Sequence, residues 1–410
     1  MDHKLRRLKL ACYTGNATMS VVASLSPVLF ITFRSLYGFS YSLLGLLVLI
    51  NFVTQLIVDL IFSFFSHKFN IPRTLRIMPV LAVLGLALYA LSPVLFPNNT
   101  YLGLVIGTIF FCASSGLAEV LLSPVIAAIP ADDPDREMSK LHSVFAWGTV
   151  GVVLVSTLFL RLFGSENWPY LAFLFLLIPL ISAILFAGAE IPKMETPEKV
   201  SGALSFLKNK WLLLSVLAIF LGGATECSMS QWSSSYLEQA LGIPKVWGDV
   251  FGVALFSVAL GLGRSLYGKF GKNLGQVITL GAIGSAICYL ICAISPWPAV
   301  GLVACALTGF CASMLWPGNL VLATDRFPTG GVFIFAMMAA GGDLGASVAP
   351  QLIGIVTDSA IANPAIANLA TQLSLTPEQL GMKLGMLLAM LFPLTAIPLY
   401  RHIWKHHNKP

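Results

Sequence analysis

Long apolar segments alternate with short polar or turn-rich breaks along almost the whole chain. A helix needs about 20 predominantly apolar residues to cross the hydrocarbon core of a bilayer, and the apolar segments have that length. The pattern therefore predicts an all-α membrane protein with twelve transmembrane helices. Reading each apolar run up to its polar break places these helices at roughly 9–34, 40–65, 75–95, 101–129, 139–163, 167–189, 210–238, 246–268, 275–294, 298–322, 329–357 and 379–403.

The longest polar interruption runs from Glu190 to Lys210 and divides the predicted helices into two sets of six. Two halves joined by a charged linker are expected of parallel repeats related by an axis along the membrane normal. We therefore predict an N-terminal six-helix bundle at 1–189, a cytoplasmic linker at 190–210 and a C-terminal six-helix bundle at 211–410.

Composition agrees with a membrane protein. Of the 410 residues, 57% are hydrophobic and 10% are charged, and the mean hydropathy is +0.85. Soluble chains carry about 25% charged residues, so lipid must cover much of this surface. The net charge of +6 comes without a basic patch interleaved with aromatic residues, and nucleic acid is not an expected partner. The seven cysteines lie almost entirely in apolar runs without paired spacing, which predicts packing rather than disulfides or a metal site.

Lysine and arginine residues predict the orientation. If the N-terminus is cytoplasmic, the outer segments hold only Arg34, Arg161, Lys245 and Lys383, and the positive-inside rule then places both termini in the cytoplasm. The basic N-terminus runs into the first apolar segment without a small-residue cleavage site, which predicts an uncleaved first helix. The compact size and the short outer loops favour a bacterial inner membrane.

Four carboxylates fall inside the predicted spans, at Asp59, Glu119, Glu226 and Asp343. A charge at the bilayer centre costs on the order of 3 kcal/mol, so each one needs a partner, a cavity or a proton. Glu119 lies near the middle of the fourth predicted helix, where it could gain and lose a proton during a transport cycle. The alternative is a hydrogen bond between helices, to a serine or to Asn16.

Glu226 lies centrally in the seventh predicted helix, with Gln231 and Trp232 within two turns of it. Asn16 stands at a similar depth in the first helix, which is the repeat partner of the seventh. A carboxylate, an amide and an indole can together bind a polyhydroxylated ligand by hydrogen bonds and ring stacking. The alternative is a packing network between the two halves.

Four further residues are candidates for proton coupling or for ligand binding. His142, in the first turn of the fifth helix, could take part in proton coupling, although a histidine at a helix start more often makes a structural hydrogen bond. Asp343 has glycine neighbours that allow close helix approach, and cavity-lining and structural roles are both open. Trp147 and Trp316 lie deeper than the aromatic belts, and either could stack on a ligand or pack in the core.

A short motif links the chain to a known superfamily. The stretch Gly-Lys-Phe-Gly-Lys at 268–272, preceded by Gly263 and Arg264, resembles the Gly-x-x-x-Asp-Arg-x-Gly-Arg loop of major facilitators. The corresponding first-half loop departs from that pattern, because His-Lys-Phe-Asn at 67–70 stands where Asp-Arg-x-Gly is expected.

Within the superfamily, Glu119 followed by Pro124, with Leu-His at 141–142 opening the next helix, is similar to the fucose–galactose–proton symporter family. In that family a helix 4 glutamate takes part in proton-coupled sugar uptake. The family also has an acidic residue four positions before a helix 1 proline, whereas this chain has Ala23 before Pro27. Coupling through two carboxylates therefore does not carry over.

The resemblance implies two six-helix bundles around a central cavity and transport by rocking of one bundle against the other. It predicts a monomeric secondary transporter, without a cofactor, that moves a small polar solute such as a sugar or a sugar derivative together with H⁺. The direction of transport and the choice between H⁺ and Na⁺ stay open. The proton-coupling residues would be Glu119 and His142, and the substrate-binding residues would be Asn16, Glu226, Gln231, Trp232, Asp343, Trp147 and Trp316.

Two alternatives belong to other functional classes. A proton-coupled exporter of amphipathic compounds fits the apolar lining, but the fifth helix lacks the proline of the antiporter motif Gly-x-x-x-Gly-Pro-x-x-Gly. An enzyme or a sensor is disfavoured because the sequence has no Walker A loop, HExxH motif, nucleophile elbow or paired-cysteine metal site.

Overall fold

A computed structural model of the chain describes residues 3–65, 68–129, 134–192, 209–270, 272–327 and 331–406. Within these ranges the chain is helical and has no β-strand, and twelve helices are long and apolar enough to cross a membrane. The predicted all-α class and the predicted number of spans are therefore confirmed. Most of the predicted linker, at 193–208, lies outside the described residues.

Except for the linker between α6 and α7, the spans follow one another with short connections. In chain order they are α1 His3–Tyr37, α2 Tyr41–Phe65, α3 Ile71–Leu95, α4 Thr100–Ala127, α5 Pro134–Phe163, α6 Trp168–Ala187, α7 Lys210–Gln239, α8 in three pieces (Lys245–Trp247, Gly248–Ala254 and Leu255–Phe270), α9 Leu274–Ile294, α10 in two pieces (Pro298–Ala312 and Leu315–Arg326), α11 Gly331–Ala362 and α12 Pro377–Lys405. A 3₁₀ turn, Ser165–Asn167, precedes α6, and a short helix, Pro364–Gln372, precedes α12.

Two spans are irregular. The middle piece of α8, Gly248–Ala254, is a π-helix, and the two pieces of α10 are separated at Ser313 and Met314. Such interruptions leave backbone N–H or C=O groups without a partner in the helix, so that other groups can bond to them. They are frequent at functional sites. Neither was predicted, because both apolar segments are long enough to span a membrane and hydropathy does not distinguish a π-helix or a break from a regular helix.

The predicted helix ends differ most from the observed ends where a helix continues beyond its apolar segment. α1 begins at His3 rather than at residue 9, and its first turns contain Lys4, Arg6 and Arg7. Lysine and arginine are good helix formers, so a helix can extend into the interface after its hydropathy has fallen. α5 likewise begins before residue 139, and α11 ends after residue 357.

Polar side chains mark several helix starts. Asn70, Asn99 and Asn209 each accept a hydrogen bond from a backbone N–H in the first turn of α3, α4 and α7. Thr376 and Gln379 form a reciprocal capping box at the start of α12. These bonds satisfy N–H groups that have no partner within the helix, and they fix where each helix begins.

The chain divides into two compact units, which consist of Met1–Leu29 with Val53–Val200, and of Phe30–Phe52 with Ser201–Pro410. The division follows the predicted linker, except that the C-terminal end of α1 and the N-terminal half of α2 belong to the second unit. The predicted bundle boundaries at 189 and 211 therefore stay a prediction.

Polar contacts explain why residues 30–52 belong to the second unit. Arg34 lies 3.0 Å from the Glu378 carboxylate, and the Tyr41 hydroxyl donates to the same carboxylate at 2.6 Å. Asp358 accepts hydrogen bonds from the backbone N–H groups of Tyr41 at 3.0 Å and Ser42 at 2.6 Å. A carboxylate at this position caps the N-terminus of α2 and faces the positive end of the helix dipole.

Each unit packs around its own apolar core. In the first unit the core includes Leu8, Met78, Leu122 and Phe186. Gly85 of α3 lies so close to α4 that a methyl group on it would come within 2.5 Å of the Phe111 backbone nitrogen. Small residues at such crossings allow the van der Waals contact that holds helices together in a bilayer. The core of the second unit includes Ile278, Leu315, Ala396 and Tyr400.

Gly345 of α11 provides a test of this close packing. A methyl group there would overlap the carbonyl oxygen of Phe220 on α7 and lie 2.9 Å from the backbone nitrogen of Ala224, whereas a methyl group on Gly261 of α8 meets no atom within 4 Å. We expect Gly345→Ala to destabilise the protein by about 1–3 kcal/mol through overpacking. The control Gly261→Ala should be neutral or slightly stabilising, because alanine favours the helix by about 1 kcal/mol. Thermal unfolding in detergent compares them, and equal midpoints would contradict the packing described.

Candidate functional site

In the first unit, the Glu119 side chain is exposed although the residue lies within a membrane-spanning segment. It stands about 12 Å along the helix from the end of α4 at Ala127, closer to that end than the sequence predicts. Among the described residues, its carboxylate makes no hydrogen bond or ion pair. A carboxylate at this depth needs a partner, a water-accessible cavity or a proton.

The direction of Glu119 differs from that of the exposed apolar residues of α4. Leu102 and Ile109 share one exposed face of the helix. At 3.6 residues per turn, Glu119 projects about 80–100° away from them. One turn before it, a methyl group on Gly116 would lie 3.0 Å from Val58 and 3.3 Å from an Asp59 carboxylate oxygen on α2. Glu119 thus points in a different direction from the exposed apolar side chains of α4.

Contacts between α1 and α5 position the other candidates of the first unit. Asn16 is buried, and its side-chain amide donates to the carbonyl oxygen of Leu141. One turn later, the Ser20 hydroxyl donates to the carbonyl oxygen of Phe145 at 2.9 Å. The side chain of His142 lies outside the described part of the structure. Trp147 is 73% exposed, so its indole is not part of the core.

In the second unit, Glu226 is paired with an arginine. Arg264 Nη2 lies 3.2 Å from both carboxylate oxygens of Glu226, and Arg264 Nε donates to the carbonyl oxygen of Ser313 at 3.0 Å. Arg264 thus joins α7 and α8 to the break in α10. The side chains are 16% exposed at Glu226 and 43% exposed at Arg264, so the pair borders an open space instead of lying in the core.

Arg264 was not among the predicted site residues, although a signal for it was present. An arginine within an apolar run has the same insertion cost as the carboxylates. Its partner could not be read from the sequence, because Glu226 and Arg264 lie on different helices. Only the crossing of α7 and α8 brings the two charges together.

Trp316 and Asp343 lie close to this pair. Methyl groups on Gly223 of α7 and Gly342 of α11 would both meet the Trp316 ring, which is half-buried. Asp343 directly follows Gly342 and is buried, and Gly223 lies one turn before Glu226 on α7. The structure therefore brings Glu226, Asp343 and Trp316 into one region, together with Arg264.

Gln231 and Trp232 lie on other faces of α7. Five and six residues after Glu226 correspond to rotations of about 140° and 120° from it. Trp232 is 1% exposed, donates from Nε1 to the carbonyl oxygen of Pro350 at 2.9 Å and packs against Phe30. Gln231 is also buried. Both side chains are packed inside the protein in this structure, and their contact with a ligand stays a prediction.

The described helices and the charged side chains within them define a multi-pass membrane protein. The chain belongs to the Major Facilitator Superfamily, whose sequence profile matches residues 11–350. The predicted superfamily is thereby confirmed. In the predicted loop motif, the side chains of residues 268–271 lie outside the described part of the structure.

Known proteins share this fold. An uncharacterized MFS-type transporter of Yersinia pestis is 25% identical over 280 residues, which are 68% of this chain and 71% of the relative. A bacterial homologue of the human lysosomal transporter Spinster has a TM-score of 0.74 at 11% identity, over 99% of this chain and 98% of that one. A D-xylose–proton symporter has a TM-score of 0.72 at 17% identity, over 97% of this chain and 99% of that one.

The predicted likeness to sugar–proton symporters is confirmed at the level of the fold, since two such symporters are among the solved structures that share it. At these identities the likeness concerns the fold alone. The family nevertheless defines the general task, which is the movement of a small-molecule substrate across a membrane.

Proposed function

We propose that this protein is a proton-coupled symporter of a small polar solute, a sugar or a sugar derivative, which works by alternating access. It acts as a monomer in a bacterial inner membrane with both termini in the cytoplasm, and it catalyses no covalent chemistry. The positive-inside distribution of lysine and arginine supports the orientation.

The observation that carries the proposal is the exposed Glu119 carboxylate within the span of α4. A group at this depth that touches water can exchange a proton, and a family that moves solutes uses such groups in relays. Proton binding removes the charge and favours the loaded state. Proton loss toward the more alkaline cytoplasm restores the charge, weakens the contacts to the solute and favours release.

The second unit supplies the groups that suit a polyhydroxylated solute. The Glu226–Arg264 pair offers acceptors and donors side by side, and the half-buried Trp316 ring lies in the same region. Hydroxyl groups can bond to both members of such a pair, and an aromatic face can cover the apolar side of a sugar ring. Asn16 of the first unit is proposed as a separate ligand contact, since one hydrogen of its amide is bonded to the carbonyl oxygen of Leu141 and its other polar atoms would bond to a solute.

Reconstituted transport tests the proposal. Liposomes containing the protein are placed in an inside-alkaline pH gradient with labelled D-xylose, D-galactose, L-fucose or a lipophilic cation. We expect one of the sugars to accumulate and a protonophore to collapse that accumulation. A matched arm imposes a Na⁺ gradient without a pH gradient, and protein-free liposomes measure leakage. Accumulation driven by Na⁺ alone would contradict proton coupling, and extrusion of the cation alone would favour the exporter.

A further inference from the structure

A groove of about 550 Å³ runs along the C-terminal half of α12. Its lining residues fall at spacings of three, four and seven along the helix, so they form one stripe. The half of the stripe nearer the middle of the helix is apolar, and the half nearer the helix end is basic. The lining residues are Leu394, Ile397, Pro398, Arg401, His402 and Lys405.

The groove contains two strong cations, Arg401 and Lys405. Within the described residues, neither Arg401 nor Lys405 makes a hydrogen bond, an ion pair or a ring contact, and both are exposed. Two other cations at this end of the unit are engaged. Arg326 donates to the carbonyl oxygen of His406 at 2.8 Å and lies 4.0 Å from the Trp211 ring centroid, and Lys210 lies 5.5 Å from the same centroid.

An aromatic contact indicates the membrane depth at which the basic half of the groove lies. His402 stacks on Trp211 with ring centroids 5.6 Å apart and planes inclined by 18°. Tryptophan is enriched where a spanning helix meets the headgroup region, so the basic half of the groove lies at headgroup depth. The apolar half then lies at the depth of the acyl chains.

Two ordinary explanations cover only part of this arrangement. Basic residues near a helix C-terminus offset the negative end of the helix dipole, and long cationic side chains extend toward water from a lipid-facing helix. Neither explains why the exposed Arg401 and Lys405 continue an apolar stripe along the same face of α12.

We propose that this groove binds an anionic phospholipid of the surrounding bilayer. Arg401 and Lys405 would bind the phosphate of the headgroup, the guanidinium through paired hydrogen bonds. One acyl chain would lie along Leu394, Ile397 and Pro398. Free phosphate would leave the apolar half empty, and a zwitterionic lipid would leave the positive charge partly uncompensated, so both should bind more weakly.

The test measures lipid binding to the full-length protein purified in detergent, by native mass spectrometry and by thermal shift, with phosphatidylglycerol, phosphatidylcholine and inorganic phosphate as probes. We expect phosphatidylglycerol to bind most tightly. Each basic residue near an anionic headgroup contributes about fivefold in affinity, so Arg401→Gln with Lys405→Gln should weaken its binding about 30-fold. Lys405→Gln alone should weaken it about fivefold, which provides a second measurement if the double variant is unstable.

A matched control removes two exposed basic residues that lie outside the groove, by Arg73→Gln with Lys272→Gln. We expect this control to keep the phosphatidylglycerol affinity within about twofold of the wild type. Equal affinity for phosphatidylglycerol and phosphatidylcholine would overturn the proposal. So would full competition by inorganic phosphate, or an equal loss of affinity in the control.

Discussion

Replacing Glu119 with glutamine is expected to reduce proton-driven accumulation of the solute to simple equilibration across the membrane. The amide has nearly the shape of the carboxyl group but does not take up or release a proton near neutral pH. The variant should therefore keep the packing of α4 and lose the coupling. Because the side chain is exposed and makes no hydrogen bond or ion pair within the described residues, the substitution should change stability little.

The size of this effect follows from the driving force. A gradient of about two pH units corresponds to about 2.7 kcal/mol per proton, enough to accumulate a solute about 100-fold if one proton accompanies it. In liposomes, the ratio of internal to external solute should fall from that range to about one in Glu119→Gln. Exchange of solute at equal pH on both sides should continue, because it needs no net proton movement.

Glu166→Gln is the control for loss of a carboxylate elsewhere in the same unit. Glu166 is exposed and lies in the 3₁₀ turn before α6, at the end of a span instead of inside one. We expect this variant to accumulate solute as the wild type does. If Glu119→Gln accumulates solute to the same extent as Glu166→Gln, another group carries the proton.

Replacing Arg264 with glutamine is expected to destabilise the second unit and to abolish transport. The substitution leaves Glu226 without its charged partner and weakens the support of the Ser313 carbonyl at the break in α10. Exposed ion pairs contribute about 0–1 kcal/mol, and breaking a buried pair costs about 3–5 kcal/mol. With Glu226 16% exposed and Arg264 43% exposed, a loss of about 2 kcal/mol is expected.

A double-mutant cycle separates the ion pair from the individual side chains. Thermal unfolding is measured for Arg264→Gln, Glu226→Gln and the double variant. We expect the double variant to be more stable than Arg264→Gln alone, because it no longer carries an uncompensated carboxylate. Arg161→Gln, at the exposed end of α5, serves as the control and should leave stability unchanged. Strictly additive losses would show that Glu226 and Arg264 do not stabilise each other.

The number of helices and the superfamily could be predicted because they depend on properties that single segments carry. Each span needs its own apolar length, and a polar break ends it whatever the neighbouring helices do. The irregularities of α8 and α10 could not be predicted, because a break at Ser313 leaves the apolar content of the run unchanged. The break is identified only in the structure, where Arg264 Nε donates a hydrogen bond to the carbonyl oxygen of Ser313.

The candidate site was predictable only in part, for a similar reason. The cost of a charge in hydrocarbon singles out Glu119 and Glu226 from sequence alone. Their surroundings depend on which helices cross, as the pairing of Glu226 with Arg264 shows. For Gln231 and Trp232, closeness in sequence does not give closeness in space, because the rotation of the helix separates them from Glu226.

The assignment of residues 30–52 to the second unit has a mechanical consequence. α1 is one unbroken helix from His3 to Tyr37, yet the boundary between the units falls within it, after Leu29. Pro27 lies just before that boundary and removes one backbone hydrogen bond from the helix. Proline is a common cause of bends in long helices, so Pro27 marks the point at which α1 bends most easily.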